Sequence, residues 1–185
     1  MRVLAISGSL RRGSYNSALL EAAARELPAG IEWERFAGLR DLPGYDEDLD
    51  RGVPPAAVAR LRSAIAGADA ILIATPEYNA SIPGALKNAI DWASRPYPDN
   101  VLRDRPVAVI GASTGLFGAV WAQAELRKVL HHAGAHVLEE ELPVGSAASA
   151  FDSDGTLRDP ELRDRLGDVV GALLREARAP VELAA

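Results

Sequence analysis

The chain has 185 residues, no cysteine and a formal net charge of −6 at pH 7. That length suits one globular domain spanning residues 1–185, and the missing cysteine excludes structural disulfides, thiolate-held iron–sulfur clusters and cysteine nucleophiles. An acidic balance without an extended Lys/Arg stripe argues against nucleic acid as a partner, and no apolar run approaches the roughly 20 residues that cross a bilayer.

RVLAISG, residues 2–8, reads as a buried strand. It ends at Gly8 and the Arg11–Arg12 pair, not at a cleavage site, so the opening makes a poor signal peptide and a cytoplasmic, non-membrane protein is expected. SALLEAAAREL, 17–27, has apolar residues at helical spacing. IEWERF, 31–36, alternates like a half-exposed strand, and the Gly- and Pro-rich stretch 37–55 reads as a loop with an acidic run at Asp46, Glu47, Asp48 and Asp50. AAVARLRSAIAGA, 56–68, returns to helical spacing, and DAILIAT, 69–75, is a second buried strand. PEYNASIPGALKNAIDW, 76–92, begins as a loop and becomes a helix, in which Asn88 and Asp91 are bracing candidates. RPVAVIGAS, 105–113, is the third core strand. A helix over 118–134 with Gly134 as its C-cap, a short strand over 135–142 and a closing helix over 160–179 complete the chain.

Strands alternating with helices predict an α/β fold with a mostly parallel sheet covered on both faces. In such folds ligands bind beyond the carboxyl ends of the strands, near the switch in strand order. Three chemically equipped loops, 8–17, 76–82 and 111–118, all follow strands at that end.

The first, GSLRRGSYNS, offers serine hydroxyls, the Asn16 amide, two guanidinium groups and free amides before a helix. Those groups suit a phosphate. Neither GKS/GKT nor G-x-G-x-x-G occurs here, so a terminal phosphate monoester fits better than a triphosphate or a dinucleotide. The alternative is an ordinary strand-to-helix turn with serine caps and solvent-facing arginines. In the second loop, Tyr78 can border a planar ring and Asn79 can meet its polar edge. In the third, Ser113, Thr114 and Gly115 are donors on a backbone small enough for close approach. A phosphate at one end and a planar heterocycle at the other describe a mononucleotide, and flavin mononucleotide (FMN) suits this kind of sheet.

PEYNASIPGALKNAIDW resembles the P-E-Y-N-x-S-x-P-G-x-L-K-N-A-I-D-W signature of the NADPH-dependent FMN reductase family, and GSLRRGSYNSAL resembles that family's phosphate loop. The resemblance covers about residues 1–175. It implies a flavodoxin-like three-layer sandwich around a five-stranded parallel sheet of order 2-1-3-4-5. It implies that Ser9, Arg11, Ser14, Asn16 and Ser17 surround the FMN phosphate. It implies further that Pro76, Glu77, Tyr78 and Asn79 border the isoalloxazine, and that Ser113 and Gly115 help close the pocket. Many relatives carry a Gly-Gly pair and an Arg-Ala-Gln where this chain reads LFGAVWAQ, with Phe117 and Trp121 at two of those positions. The Phe and Trp either narrow the substrate opening or pack in a subunit contact; flavin binding stays the expectation, and the departure bears on substrate and nicotinamide preference.

The implied chemistry is ping-pong: NADPH or NADH gives a hydride to FMN and leaves, and a quinone or similar small electron acceptor then collects two electrons. Tyr78 and Asn79 are the residues placed at the reacting ring, as positioning groups and not as an acid–base pair. The family further implies a homodimer or homotetramer, with the helix after PEYN near the interface. A flavodoxin-like electron carrier or a flavin-binding regulatory module, without NAD(P)H turnover, is the reading from another class. No metal is expected: His131 and His132 are adjacent and point apart on a helix, and His136 lies beyond Gly134.

Overall fold

Three apolar strands, buried on both faces, build the centre of the fold. The computed structural model describes residues 1–179; the last six residues of the domain expected over 1–185 lie outside the described part. The strands are β1 (Arg2–Ser7), β2 (Glu32–Phe36), β3 (Ala70–Thr75), β4 (Pro106–Ala112) and β5 (His136–Val144). The helices are α1 (Tyr15–Arg25), α2 (Ala56–Ala66), α3 (Gly84–Ala93), α4 (Val120–His132), α5 (Ala147–Ala150) and α6 (Pro160–Glu176). All strand pairs are parallel, and the order is β2-β1-β3-β4-β5, the order that the resemblance implied.

Because side chains alternate across a strand, each central strand feeds two cores. Leu4, Ile6, Ile71, Ile73, Val107 and Val109 join the residues of α2, α3 and α4 on one face. Val3, Ala5, Leu72, Ala74, Ala108 and Ile110 join those of α1 and α6 on the other. Every residue of β3 is buried, which is why its sequence is a continuous apolar run instead of an alternating one.

The expected elements are present with shifted ends. β5 runs to Val144, two residues past its expected end, and contains Pro143. It is an edge strand, where a residue without an N–H is tolerated. Gly134 takes φ +92 just past α4; its amide bonds to His131 O and that of Ala135 to Leu130 O, which satisfies the last carbonyls of the helix. The loop 37–55 contains two 3-10 turns, Gly38–Asp41 and Glu47–Asp50, and α5 was not foreseen. That loop is fastened down by α3. Asn88 accepts from Tyr45 N (2.7 Å) and donates to Pro43 O (2.8 Å), and the Trp92 indole donates to Pro43 O (2.8 Å). The second half of the PEYN stretch is therefore a clamp, with Trp92 fully buried, while Asp91 accepts from Lys87 on its own helix.

β1 continues to β2 on one side and to β3 on the other, so the loops leaving β1 and β3 diverge and open a crevice between them. Register pairs Ser7 with Ala74 and Thr75 with Gly111, which puts the three equipped loops side by side at one sheet edge. Among the described residues, no helix is long and apolar enough to cross a membrane.

Candidate functional site

The first loop turns at Gly13, whose φ of +63 favours glycine, and ends in Ser14, the N-cap of α1. The Ser14 hydroxyl accepts from Asn16 N at 3.2 Å. The first turn of a helix leaves amides without intrahelical partners. Among the described residues, those of Tyr15 and Ser17 find no protein acceptor. The helix dipole adds partial positive charge at the same point. The Arg11 guanidinium lies 5.1 Å over the Tyr15 ring and Ser9 Oγ accepts from Arg11 N at 3.4 Å. Arg40, from the 3-10 turn after β2, donates to Leu10 O at 2.7 Å and braces the loop from outside.

Asn16 has a structural task. Its side chain is buried and reaches over β3 to β4, where Nδ2 donates to Ala112 O and Oδ1 accepts from Ala112 N, both at 2.9 Å. Loop one is thereby tied to the root of loop three. Ser17 Oγ turns inward and donates to Ser7 Oγ at 3.3 Å.

In the second loop, Tyr78 and Ser81 exchange both backbone hydrogen bonds, and the two residues between them take left-handed conformations, Asn79 at φ 52 and Ala80 at φ 58. This tight turn carries Tyr78 half exposed at the mouth of the crevice. Glu77 reaches across to α4 instead of into solvent: Oε2 accepts from the amides of Trp121 and Ala122, 3.1 Å each. The N-cap of α4 is Ala119, which has no capping side chain, so the acceptor comes from another loop.

The third loop is closed by its own contacts. Ser113 Oγ accepts from Gly115 N (3.1 Å), and the carbonyls of Gly115 and Ser113 accept from Ser146 and Ala147.

The three loops enclose a cavity of about 390 Å³, within the usual size of a small-molecule site. Ser9, Arg11, Ser14 and Asn16 line its α1 side, Pro76, Glu77 and Tyr78 its β3 side, and Ser113 and Thr114 its β4 side. Ser17, Asn79 and Gly115 do not line it; they sit in the inward hydrogen bond, the tight turn and the closed loop just described. Tyr15 and Ala112 also line the cavity and were missed from the sequence, although an arginine four residues before a tyrosine at a helix start was a readable signal. Arg40 had no such signal, being 30 residues from the carbonyl it grips.

Among the described residues, two larger hollows lie elsewhere and lack this chemistry. One of about 690 Å³ beside β2 has its charges paired, Arg2 with Glu34 and Arg60 with Asp41. Another of about 490 Å³ lies between α3 and α4. The three histidines do not converge: His131 and His132 are exposed, and His136 Nε2 faces Glu176 at 3.3 Å.

The donor set of the 390 Å³ cavity fits FMN. Hydroxyls, a guanidinium and unpaired helix amides gather at one side, as a phosphate monoester requires. An exposed phenol and hydroxyl-bearing loop residues stand at the other, as a planar ring with polar edges requires.

A family described as NADPH-dependent FMN reductase matches residues 1–149 of the chain. An NAD(P)H-dependent FMN reductase of Pseudomonas aeruginosa is 47% identical over 175 residues, covering 94% of this chain and 93% of the relative. A 2-hydroxy-1,4-benzoquinone reductase of a Burkholderia species is 37% identical over 96% of this chain and 98% of its own length. Among solved structures, a flavoenzyme NAD(P)H:(acceptor) oxidoreductase from Paracoccus denitrificans superposes with a TM-score of 0.86 at 38% identity, over 95% of this chain and 96% of its own.

Proposed function

The chain belongs to the NADPH-dependent FMN reductase family, and on that premise we propose that it is an FMN-dependent NAD(P)H oxidoreductase that reduces quinones or similar small acceptors by a ping-pong mechanism. The observation that carries this reading is the meeting of three loops around one cavity, phosphate-type donors on one side and an exposed phenol on the other. When bound, FMN accepts a hydride from NADPH or NADH and passes two electrons on to the acceptor.

The protein's part is to hold and expose. Ser9, Arg11, Ser14 and the first-turn amides of α1 take the phosphate, and Asn16 and Ser17 keep that loop in shape through Ala112 and Ser7. Pro76 and Tyr78 border the ring, Asn79 holds the turn that presents Tyr78, and Glu77 fixes α4 behind it. Ser113 and Gly115 close the β4 side. The one cavity formed by the three loops would serve both partners in turn, which favours ping-pong order over a ternary complex.

A single FMN-binding domain over residues 1–185, assembled as a homodimer or homotetramer, is the unit we propose, and sedimentation of the FMN-loaded protein measures the assembly. NAD(P)H as reductant points to the cytoplasm.

Anaerobic titration of the FMN-loaded protein with NADPH, and separately with NADH, tests the activity. Bleaching of the flavin band near roughly 450 nm, restored by a quinone, is the expected result. FMN binding without bleaching by either nucleotide would transfer the site to an electron carrier or regulatory module. Parallel double-reciprocal plots against the two substrates check the ping-pong order.

A further inference from the structure

Three large apolar side chains of the third loop and the start of α4 keep most of their surface in water: Leu116 is 77% exposed, Phe117 60% and Trp121 51%. Phe117 and Trp121 pack on one another with ring centroids 5.2 Å apart and planes at 67°. Such a contact engages the edge of one ring and one face of the other, so the remaining faces stay open. Single exposed apolar residues are ordinary, but a contiguous cluster marks a binding surface.

These rings are exposed without being loosely held. Gly118 has φ +60, and a Cβ there would stand 2.5 Å from the Pro143 carbonyl carbon and 2.6 Å from Val144 N. A Cβ on Gly145 would meet Leu116 O at 2.1 Å. Backbone therefore lies directly on backbone on both sides of Phe117. Ser113 N donates to Val144 O and Ser146 N to Gly115 O, and Glu77 grips the Trp121 and Ala122 amides. The segment is pinned at both ends and along one flank.

Its two ends also locate it. Ser113 and Thr114 line the cavity, and Glu77, which holds Trp121 N, lines it as well. The pair therefore follows directly on the β4-side lining without being part of it, while half-exposed Tyr78 lines the β3 side. Residues 113–124 contain no Lys or Arg.

We propose that Phe117 and Trp121 form an acceptor-selecting wall just outside the mouth of this cavity and favour flat, fused-ring apolar acceptors, two-ring quinones above all, over one-ring quinones and inorganic oxyanions. This rests on the reductase reading above. A second fused ring adds apolar face to lay against the phenyl and indole, whereas an oxyanion meets no cation on the wall. The reaction balances as NAD(P)H, one proton and the quinone giving NAD(P)⁺ and the hydroquinone: both electrons come from the nicotinamide, and the second proton comes from solvent.

The test separates binding from turnover. Oxidised, FMN-loaded protein without reductant is titrated with 1,4-naphthoquinone and with 1,4-benzoquinone, reading tryptophan quenching; Trp92 is fully buried and Trp33 half-buried on β2, so the quenching that Trp121→Phe removes is the signal read. Naphthoquinone is expected to bind about three- to tenfold more tightly. Phe117→Ala is expected to remove that preference and Phe117→Tyr to restore it. With reductant present, Trp121→Ala is expected to lower the naphthoquinone-to-benzoquinone ratio of kcat/KM by the same factor, because in a ping-pong scheme this ratio contains only the acceptor half-reaction. Equal binding of the two quinones, or a preference that survives Phe117→Ala, overturns the proposal. So does a fall in sedimenting mass in Phe117→Ala, which would assign the wall to a second copy of the chain. Failure of NAD(P)H to bleach the unmodified protein is a separate result: it removes the reductase reading and leaves the quinone-binding comparison standing.

Discussion

The Glu77 carboxylate, on the loop after β3, accepts hydrogen bonds from the backbone amides of Trp121 and Ala122 at the start of α4, both at 3.1 Å. A helix N-terminus with no capping side chain of its own is thus capped from a neighbouring loop. The carboxylate also opposes the positive end of the α4 dipole. One side chain therefore fixes the distance between the second and third loops, which form two sides of the cavity.

Glu77→Ala is expected to lower stability by about 1 kcal/mol, the usual worth of a lost cap, and to speed FMN release because the two loops are no longer tied. Glu77→Gln keeps an oxygen for the two amides and loses only the charge–dipole part, about 0.3–1 kcal/mol. Thermal melts and flavin fluorescence after dilution measure the two effects. If alanine and glutamine behaved alike in both, the two hydrogen bonds would not be what holds the loops.

Asn16 makes a costlier bond pair to lose, because it is buried and satisfies both backbone groups of Ala112. Asn16→Ala leaves a buried N–H and a buried C=O unpaired, an expected loss of about 2–4 kcal/mol. Asn16→Asp recovers the bond from Ala112 N but points a carboxylate oxygen at Ala112 O, so it regains less than half. Urea unfolding of the three proteins compares them; a loss under about 1 kcal/mol for alanine would mean that water replaces the side chain there.

Ala80 sits at φ 58 beside Asn79 at φ 52. A left-handed backbone costs an L-residue with a Cβ about 1–2 kcal/mol, and asparagine bears it better than alanine. Ala80→Gly releases that strain and gives back about 0.5–1 kcal/mol in unfolded-chain entropy. The net expectation is a gain near 0.5 kcal/mol, or about 1–2 °C in Tm at this length. A lower Tm would show that the methyl group packs usefully in the turn.

The fold was legible because Leu4–Ile6, Ile71–Ile73 and Val107–Ile110 are apolar enough on both sides to be buried strands whatever surrounds them. The loops were legible as chemistry for a related reason: serine, arginine, glutamate and tyrosine directly after such strands have no place in the core. What the sequence hid depends on strand order. Asn16 reads only as a ligand; that its amide also meets Ala112 shows once β4 is known to lie one strand beyond β3. Glu77 reads only as a ring contact; that it also caps α4 shows once α4 is placed beside it. Arg40 is silent because its partner, Leu10 O, is a backbone atom 30 residues away. The 3-10 turns were hidden in a stretch whose Gly and Pro content predicted only irregularity.

Arg11 and Ser14 are expected to separate the phosphate contact from the fold. Arg11 is exposed, and its protein contacts are the Tyr15 ring and Arg12 O, so Arg11→Ala leaves the melting temperature of the FMN-free protein nearly unchanged. It removes a charge-assisted bond worth about 1.5–3 kcal/mol, a rise in the FMN dissociation constant of about ten- to a hundredfold. Ser14→Ala lowers the melting temperature and raises the FMN dissociation constant, because the same hydroxyl caps α1 through Asn16 N. Flavin fluorescence titrations at low and high salt, run with FMN and with riboflavin, decide the point. Riboflavin has no phosphate, so its affinity is expected to be the same in wild type and Arg11→Ala, and the FMN difference between them to shrink as salt rises. An equal loss for riboflavin would move Arg11 from the phosphate to the ring.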